Sequence, residues 1–247
     1  MGEDRKAGPA GRRGHLRRAR DDTRRAASVA GIVLAAGASV RMGGTKPLLD
    51  AGGMTFAARL VDALARGGCD PVVVVGASGG GALADEVSRG AGVLVVNPGG
   101  RGGQIGSLRA ALDHLEAMAD PPGAFVFTPV DNPAVAPATV RALVEAWRGS
   151  RASIVLPCYG EVRGHPVVAD MSMVGEFRAE GLREGARTVV RREPGRVLEV
   201  EVADPGVADD LDTPDRYRER FGGVRGAGAG PGEERETQPR GSWETPA

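Results

Sequence analysis

The chain predicts a three-layer α/β fold, Rossmann-like, in which a mostly parallel sheet is covered by helices on both faces. Three observations carry that expectation. Short apolar runs alternate with stretches of helical periodicity, the pattern of successive strand–helix units. The first run, Val29–Leu34, is β-branched and apolar enough for a buried strand and opens directly into a glycine-rich loop. A length of 247 residues with 41% apolar content is enough for one domain with a sizeable core.

Taken in order, Val29–Leu34 is the first strand, and Thr55–Arg66 is a helix with Phe56, Leu60, Val61 and Leu64 on one face. Pro71–Gly76 reads as a strand through its valine run, Ala82–Ser88 as a short helix and Val93–Val96 as a third strand. Gln104–Ala119 aligns Leu108, Leu112 and Leu115 as a helix, and Ala124–Pro129 is a fourth strand. Ala138–Arg148 is helical, Ser153–Leu156 and Pro166–Ala169 are extended, and Val197–Val202 is a late strand before a closing helix at Pro214–Phe221. Pro157–Gly164 and Ser172–Glu193 carry no legible pattern, and there is no internal repeat.

The net charge of zero is a sum of unlike parts. Residues 1–28 hold eight Arg and one Lys against four acids, +5, and residues 222–247 hold three Arg against four Glu, −1, so residues 29–221 carry −4. The domain is therefore expected at 29–221, between a disordered Arg-rich extension (1–28) and a disordered Gly-, Pro- and Glu-rich tail (222–247). An acidic domain argues against nucleic-acid binding by the fold itself. Cys69 and Cys158 lack metal-ligand spacing and read as buried small residues. No apolar run reaches the length of a membrane span. Arg24-Arg25 before an apolar stretch imitates a twin-arginine export signal, but cleavage near Ala38 would destroy the glycine-rich loop; the expected location is cytoplasmic.

In an open α/β sheet, ligands bind beyond the carboxyl ends of the strands. Four segments there carry chemistry. The first is Leu34-Ala35-Ala36-Gly37-Ala38-Ser39-Val40-Arg41-Met42-Gly43-Gly44-Thr45-Lys46, whose small residues let backbone N–H groups approach phosphate oxygens while Arg41 and Lys46 add charge. Lys6 and Lys46 are the only lysines of the chain, so a compact ammonium is retained here where every other cation is a planar guanidinium. The second, Asn97–Leu108, is a glycine-rich turn opening a helix: it either offers N–H groups or Ser107 to a nucleotide, or is a mobile surface loop with Ser107 on a solvated face. The third, Thr128-Pro129-Val130-Asp131-Asn132-Pro133, holds Asp131 rigidly at a strand end. That suits magnesium, which takes one or two protein carboxylates; an Asx turn or a cap for the helix near Pro137 is the plainer account. The fourth, Asp209-Asp210-Leu211-Asp212-Thr213-Pro214, holds more acids than a helix cap requires, and either Asp210 or Asp212 can be a second ligand.

These residues resemble the nucleotidyltransferases that attach a nucleotide to the molybdopterin phosphate, and specifically the molybdenum cofactor cytidylyltransferases. Leu34, Ala35, Ala36, Gly37, Ser39, Arg41, Met42, Gly43 and Lys46 match the signature, and Pro129-Val130-Asp131-Asn132-Pro133 resembles the metal-binding turn. Gly103 with Ser107-Leu108, Arg163-Gly164-His165-Pro166 and Asp210–Pro214 resemble three further segments in the expected order, with Gln104 standing where methionine is common. The resemblance implies a GT-A-type nucleotidyltransferase fold, CTP (or another NTP) bound by Leu34, Ala35, Ala36, Gly37, Ser39 and Ser107, and Arg41 on the β- and γ-phosphates. It implies Lys46 at the α-phosphate, Mg²⁺ on Asp131 and Asp212, and His165 on the acceptor side. Alanine at 36 is similar to the cytidine-using branch. The implied acceptor is a molybdopterin-type phosphate and the implied partner a molybdoenzyme or its chaperone. A sugar or other small phosphate as acceptor, or an accessory or redox protein built on the same fold, are the alternatives; a nicotinamide-binding loop is not, because Gly-x-Gly-x-x-Gly does not follow Leu34.

Overall fold

A computed structural model describes residues 27–37 and 46–222, so the roles expected of Ser39, Arg41 and the two tails lie outside the described residues. The strands are β1 (Val29–Leu34), β2 (Val72–Gly76), β3 (Gly92–Val96), β4 (Ala124–Pro129), β5 (Ile154–Tyr159), β6 (Val162–Arg163), β7 (Val167–Asp170) and β8 (Val197–Glu201). The helices are α1 (Phe56–Arg66), α2 (Ala82–Arg89), α3 (Gly103–Glu116), α4 (Pro137–Gly149), α5 (Val174–Arg178), α6 (Ala186–Arg192) and α7 (Pro214–Phe221). The sheet order is β3-β2-β1-β4-β7-β5-β6, with β8 beside β5. β1 is parallel to β2 and β4, β2 to β3, and β5 to β8, while β7 runs antiparallel to both β4 and β5.

Three layers follow from the alternation of side chains along a strand. β1 sends Val29 and Val33 into one core and Ala30, Ile32 and Leu34 into the other, so both faces are apolar and both are covered. On the first face α1, α2 and α4 contribute Phe56, Leu60, Leu64, Val87, Leu143 and Trp147. On the second, α3 and α5 contribute Leu108, Leu112, Leu115, Val174 and Phe177. Each such side chain contributes about 2 kcal/mol by leaving water. α1 comes so close to β1 that a Cβ on Gly31 would lie 3.1 Å from Leu64, and the helix is capped by Thr55, whose hydroxyl accepts from Ala58 N at 3.1 Å.

The expected elements are present, with boundaries moved by a few residues and β7 antiparallel to its neighbours. Three pieces escaped the sequence: β6, α5 and α6, of two, five and seven residues. None is long enough to display a period. Among the described residues no helix is long and apolar enough to cross a membrane.

The chain winds outward from β1 through β2 to β3 and then returns to the other side of β1 as β4. The loops after β1 and β4 therefore part company at a topological switch point, the place where such sheets open a crevice. Leu34 is in register with Pro129, and Leu34 O accepts from Val130 N at 3.1 Å, which brings the glycine-rich loop and the Asp131 turn to one edge.

Candidate functional site

Asp131 sits two residues past the end of β4, in a turn closed by Asn132 N donating to Pro129 O. The Asn132 side chain is buried and donates to Asp209 O at 3.0 Å, which draws the C-terminal segment across the sheet edge. Leu211 finishes the placement: it is fully buried, and its N–H donates to Asp131 O at 3.0 Å. With Leu211 pointing into the core, its neighbours Asp210 and Asp212 point the other way, towards Asp131. The carboxylates of Asp131, Asp210 and Asp212 offer oxygens within 4.8 Å of one another.

The cap expected at the helix after these acids is present but is not one of the acids. Thr213 is the N-cap of α7, its hydroxyl accepting from Arg216 N, and Pro214 follows at the first helical position. Nor does Asp131 cap α4, where Asp204 serves instead: its Oδ2 accepts from Ala136 N at 2.9 Å and Thr139 Oγ1 at 2.6 Å, and its Oδ1 from Gly206 N. The sequence reading passed over Asp204 and Asn132, the two side chains that fasten the segment carrying Asp210 and Asp212.

Lys46 is buried against this cluster, its Nζ 2.5 Å from Asp212 Oδ1 and 3.7 Å from Asp131 Oδ2. Burial pushes the Asp131 carboxyl up, and Asp212 adds to the rise, while Lys46 opposes both. Burial, then Asp131 and Asp212, push Asp210 up to about 6. Asp210 Oδ1 is sealed from solvent with no hydrogen-bond partner among the described residues. Three crowded carboxylates, two of them held against ionisation and one with an orphaned oxygen, form the all-oxygen donor set that a hard divalent cation takes. The residues fit such an ion.

Leu34, Ala35 and Ala36 leave β1 buried, with Ala35 N donating to Val75 O at 2.9 Å, and Gly37 follows at the surface. The glycine-rich turn after β3 packs on them so closely that a Cβ on Gly100 would meet Ala36 O at 2.4 Å. Ser107 is not on a solvated face. It is buried; its hydroxyl donates to Gly103 O at 3.1 Å and accepts from Asn97 Nδ2 at 3.1 Å, so it locks the turn against α3.

From the carboxylates a cavity of about 780 Å³ extends past the end of β4 to the segment from β6 to His165. Its floor includes Leu108, Phe127 and His165, and its far wall includes Arg163, Arg187 and Arg191. His165 lies edge-on to Phe127, with ring centroids 6.4 Å apart, and its Nδ1 is buried with no partner among the described residues. Burial first, then Arg187, pull its pKa from an ordinary 6.5 down to about 4. The unfolded chain therefore binds a proton below pH 6.5 that the folded chain refuses until about 4, and stability falls as the pH drops through that window. The expected loss is about 3 kcal/mol. Denaturant titrations of wild type and His165→Gln between pH 7 and 4 check this: the variant should lose less, and parallel curves would contradict the burial of a neutral ring.

A family model described as the MobA-like NTP transferase domain matches residues 31–197. The match ends before Asp210 and Asp212, which the fold returns to the site. No curated protein matches the chain in sequence. Among solved structures, Rv0371c of Mycobacterium tuberculosis is similar at 29% identity, covering 80% of this chain and 99% of its own with a TM-score of 0.63. The same protein has also been solved in complex with manganese, matching at 28% identity over 80% of this chain and all of that one, again at 0.63. A nucleotidyl transferase from Methanothermobacter is similar at 22% identity, covering 79% of this chain and 96% of its own, with a TM-score of 0.66. Molybdopterin-guanine dinucleotide biosynthesis protein A from Archaeoglobus fulgidus is similar at 18% identity, covering 78% and 96%, with a TM-score of 0.58. At these last two identities the likeness speaks for the fold alone.

Proposed function

Since the chain belongs to the MobA-like NTP transferase family and is a nucleotidyltransferase, we propose that it transfers CMP from CTP to the phosphate of molybdopterin, with Mg²⁺ as its resident ion and release of pyrophosphate. The observation that carries the reading is the Lys46 ammonium set against Asp131, Asp210 and Asp212 at the switch point of the sheet, at the end of the Leu34–Lys46 loop.

Asp131, Asp210 and Asp212 would hold the ion, which when bound supplies charge neutralisation to the triphosphate and keeps its remaining positions for water and phosphate oxygens. The Leu34–Gly37 backbone lines the base, Arg41 takes the β- and γ-phosphates, and Lys46 neutralises charge growing on the α-phosphate. An oxygen of the acceptor phosphate attacks the α-phosphorus as the bond to the bridging oxygen of the β-phosphate breaks, and pyrophosphate carries away the electron pair. The nucleophile is already an anion, so no general base is needed and positioning with charge neutralisation carries the rate. That agrees with a neutral His165 that holds no proton to give at pH 7 beyond its own ring N–H.

Calorimetric titration with CTP and GTP in the presence of Mg²⁺ tests the base, with CTP expected to bind at least tenfold more tightly; preference for GTP would sink the reading of Ala36. Pyrophosphate release with CTP and molybdopterin tests the acceptor. Release with a sugar phosphate and none with molybdopterin would replace it.

A further inference from the structure

Lys46, Asp131 and the pair Asp210 and Asp212 reach the switch point on three segments far apart in sequence. One side chain touches all three segments. Arg59, half-buried on α1, donates from Nη1 to Ala51 O and from Nε to Pro133 O, each at 3.0 Å, and its guanidinium carbon lies 5.9 Å from the centre of the Phe221 ring. Ala51 is joined to Lys46 by a short, closed path, the 3₁₀ turn Lys46–Leu48 with Leu49 N donating to Lys46 O at 3.1 Å. Pro133 belongs to the turn that carries Asp131, and Phe221 ends α7, the helix whose cap, Thr213, follows Asp212. Tyr217 of α7 adds a second tie, its hydroxyl donating to Asp50 O at 2.8 Å, so Asp50 O and Ala51 O are both held from outside the loop. Ala51 and Pro133 are buried, where a carbonyl left without a donor is costly.

These contacts use the guanidinium as a spacer. Its N–H groups leave a rigid plane in fixed directions, so two carbonyls bound to it are held at one separation, and as a charged donor it binds each more strongly than a neutral one would. We propose that Arg59 is the positioning residue of Lys46: it fixes the loop behind the ammonium against the Asp131 turn and α7, and so sets the separations of Nζ from Asp131 and Asp212, 3.7 Å and 2.5 Å. The inference rests on the reading of this cluster as the transfer centre. Arg59 is given no contact with ion or nucleotide; it acts through Lys46, so its loss should count only while Lys46 is there to be misplaced.

A double-mutant cycle on the full chain reads this dependence. In the wild-type background Arg59→Met, which keeps the apolar stem, should lower kcat for CMP transfer by about tenfold or more, with KM for CTP within about threefold, because a small misplacement of a catalytic charge is enough. In the Lys46→Met background the same change should lower kcat by less than about twofold. Arg59→Lys, which keeps the charge but lacks the fork, should recover part of the loss, and it takes the place of Arg59→Met in the cycle if that variant does not fold. Mn²⁺ titration followed by electron paramagnetic resonance, without nucleotide, is the second readout. An ammonium freed from its seat competes less, so Arg59→Met should tighten Mn²⁺ binding by about threefold in the wild-type background and leave it unchanged in Lys46→Met. Losses of kcat that are equal in the two backgrounds, or Mn²⁺ affinities that move alike in both, overturn the proposal, and a wild type that transfers CMP then leaves the nucleotidyl reading standing. Mn²⁺ binding that responds to Arg59 only while Lys46 is present, in a protein that transfers CMP to no acceptor, keeps the seat of Lys46 and sinks the nucleotidyl reading.

Discussion

Asp131→Ala is expected to lower the rate of nucleotidyl transfer at least about a hundredfold, the scale of losing one preorganised electrostatic group, while the protein remains folded. The fold should survive because the carboxylate is held at a disadvantage. Its pKa is raised, chiefly by burial, so its charge opposes folding at neutral pH and that opposition grows as pH rises through the shifted value. Removing the charge takes away the Lys46 contact at 3.7 Å but leaves the closer one to Asp212, and the turn itself is built from backbone and Asn132. The melting temperature of the ion-free variant should therefore stay within a few degrees of wild type. What it should lose is the rise in melting temperature that Mn²⁺ or Mg²⁺ gives the wild type, because only the native state has the cluster to bind an ion. A variant keeping more than a tenth of the wild-type rate, or the full metal-dependent rise, would remove Asp131 from the proposed centre.

Lys46→Met is expected to act in two opposite directions. Without ligands the ammonium lies against Asp212 and Asp131, where a divalent cation would also have to come. A resident positive charge at that distance competes with the ion by several kcal/mol before screening, so its removal should tighten Mn²⁺ binding by roughly tenfold, or about 1.4 kcal/mol. Transfer should nevertheless fall by about a hundredfold or more, since the same ammonium is assigned to the α-phosphate. Mn²⁺ titration followed by electron paramagnetic resonance reads the first effect and pyrophosphate release the second. Lys46→Arg should not rescue turnover, because a planar fork cannot replace a compact charge in a buried seat. Weaker Mn²⁺ binding in Lys46→Met would mean that the lysine organises the carboxylates rather than competing for them.

The fold was legible wherever burial repeats along the chain. β1, β2 and β4 are apolar because both faces are covered, and α1 and α3 show their cores through Leu60, Leu64, Leu108 and Leu112. β6, α5 and α6 are too short to show a period and are held by what they pack on, so the far wall of the cavity, with Arg187 on α6, could not be read. Asp131 was visible from the stiff turn around it. The choice between Asp210 and Asp212 was not, because it depends on two tertiary facts: Leu211 buried in the core, and Thr213 taking the cap. With those in place the alternative dissolves, and both acids face Asp131. Of the two readings of Ser107, the solvated face is the one that falls, and the sequence could not choose, because a helix-opening serine looks the same whether it faces water or, as here, the buried amide of Asn97.

The clasp of Asp204 on Ala136 and Thr139 and the tie from Leu211 to Asp131 have a consequence for the order in which the protein comes to life on the ribosome. A chain emerges from its N-terminal end and folds by units as it does so. The strands β1 to β4 and the lysine are delivered early, so the proposed nucleotide seat is exposed first with Asp131 as its one carboxylate at the sheet edge. Asp210 and Asp212 emerge only after the whole of β8, the strand that pairs with β5. The carboxylate cluster is therefore completed late, and a chain cut or stalled before residue 210 is a sheet with a lysine and one carboxylate, lacking two of the three acids of the proposed ion site.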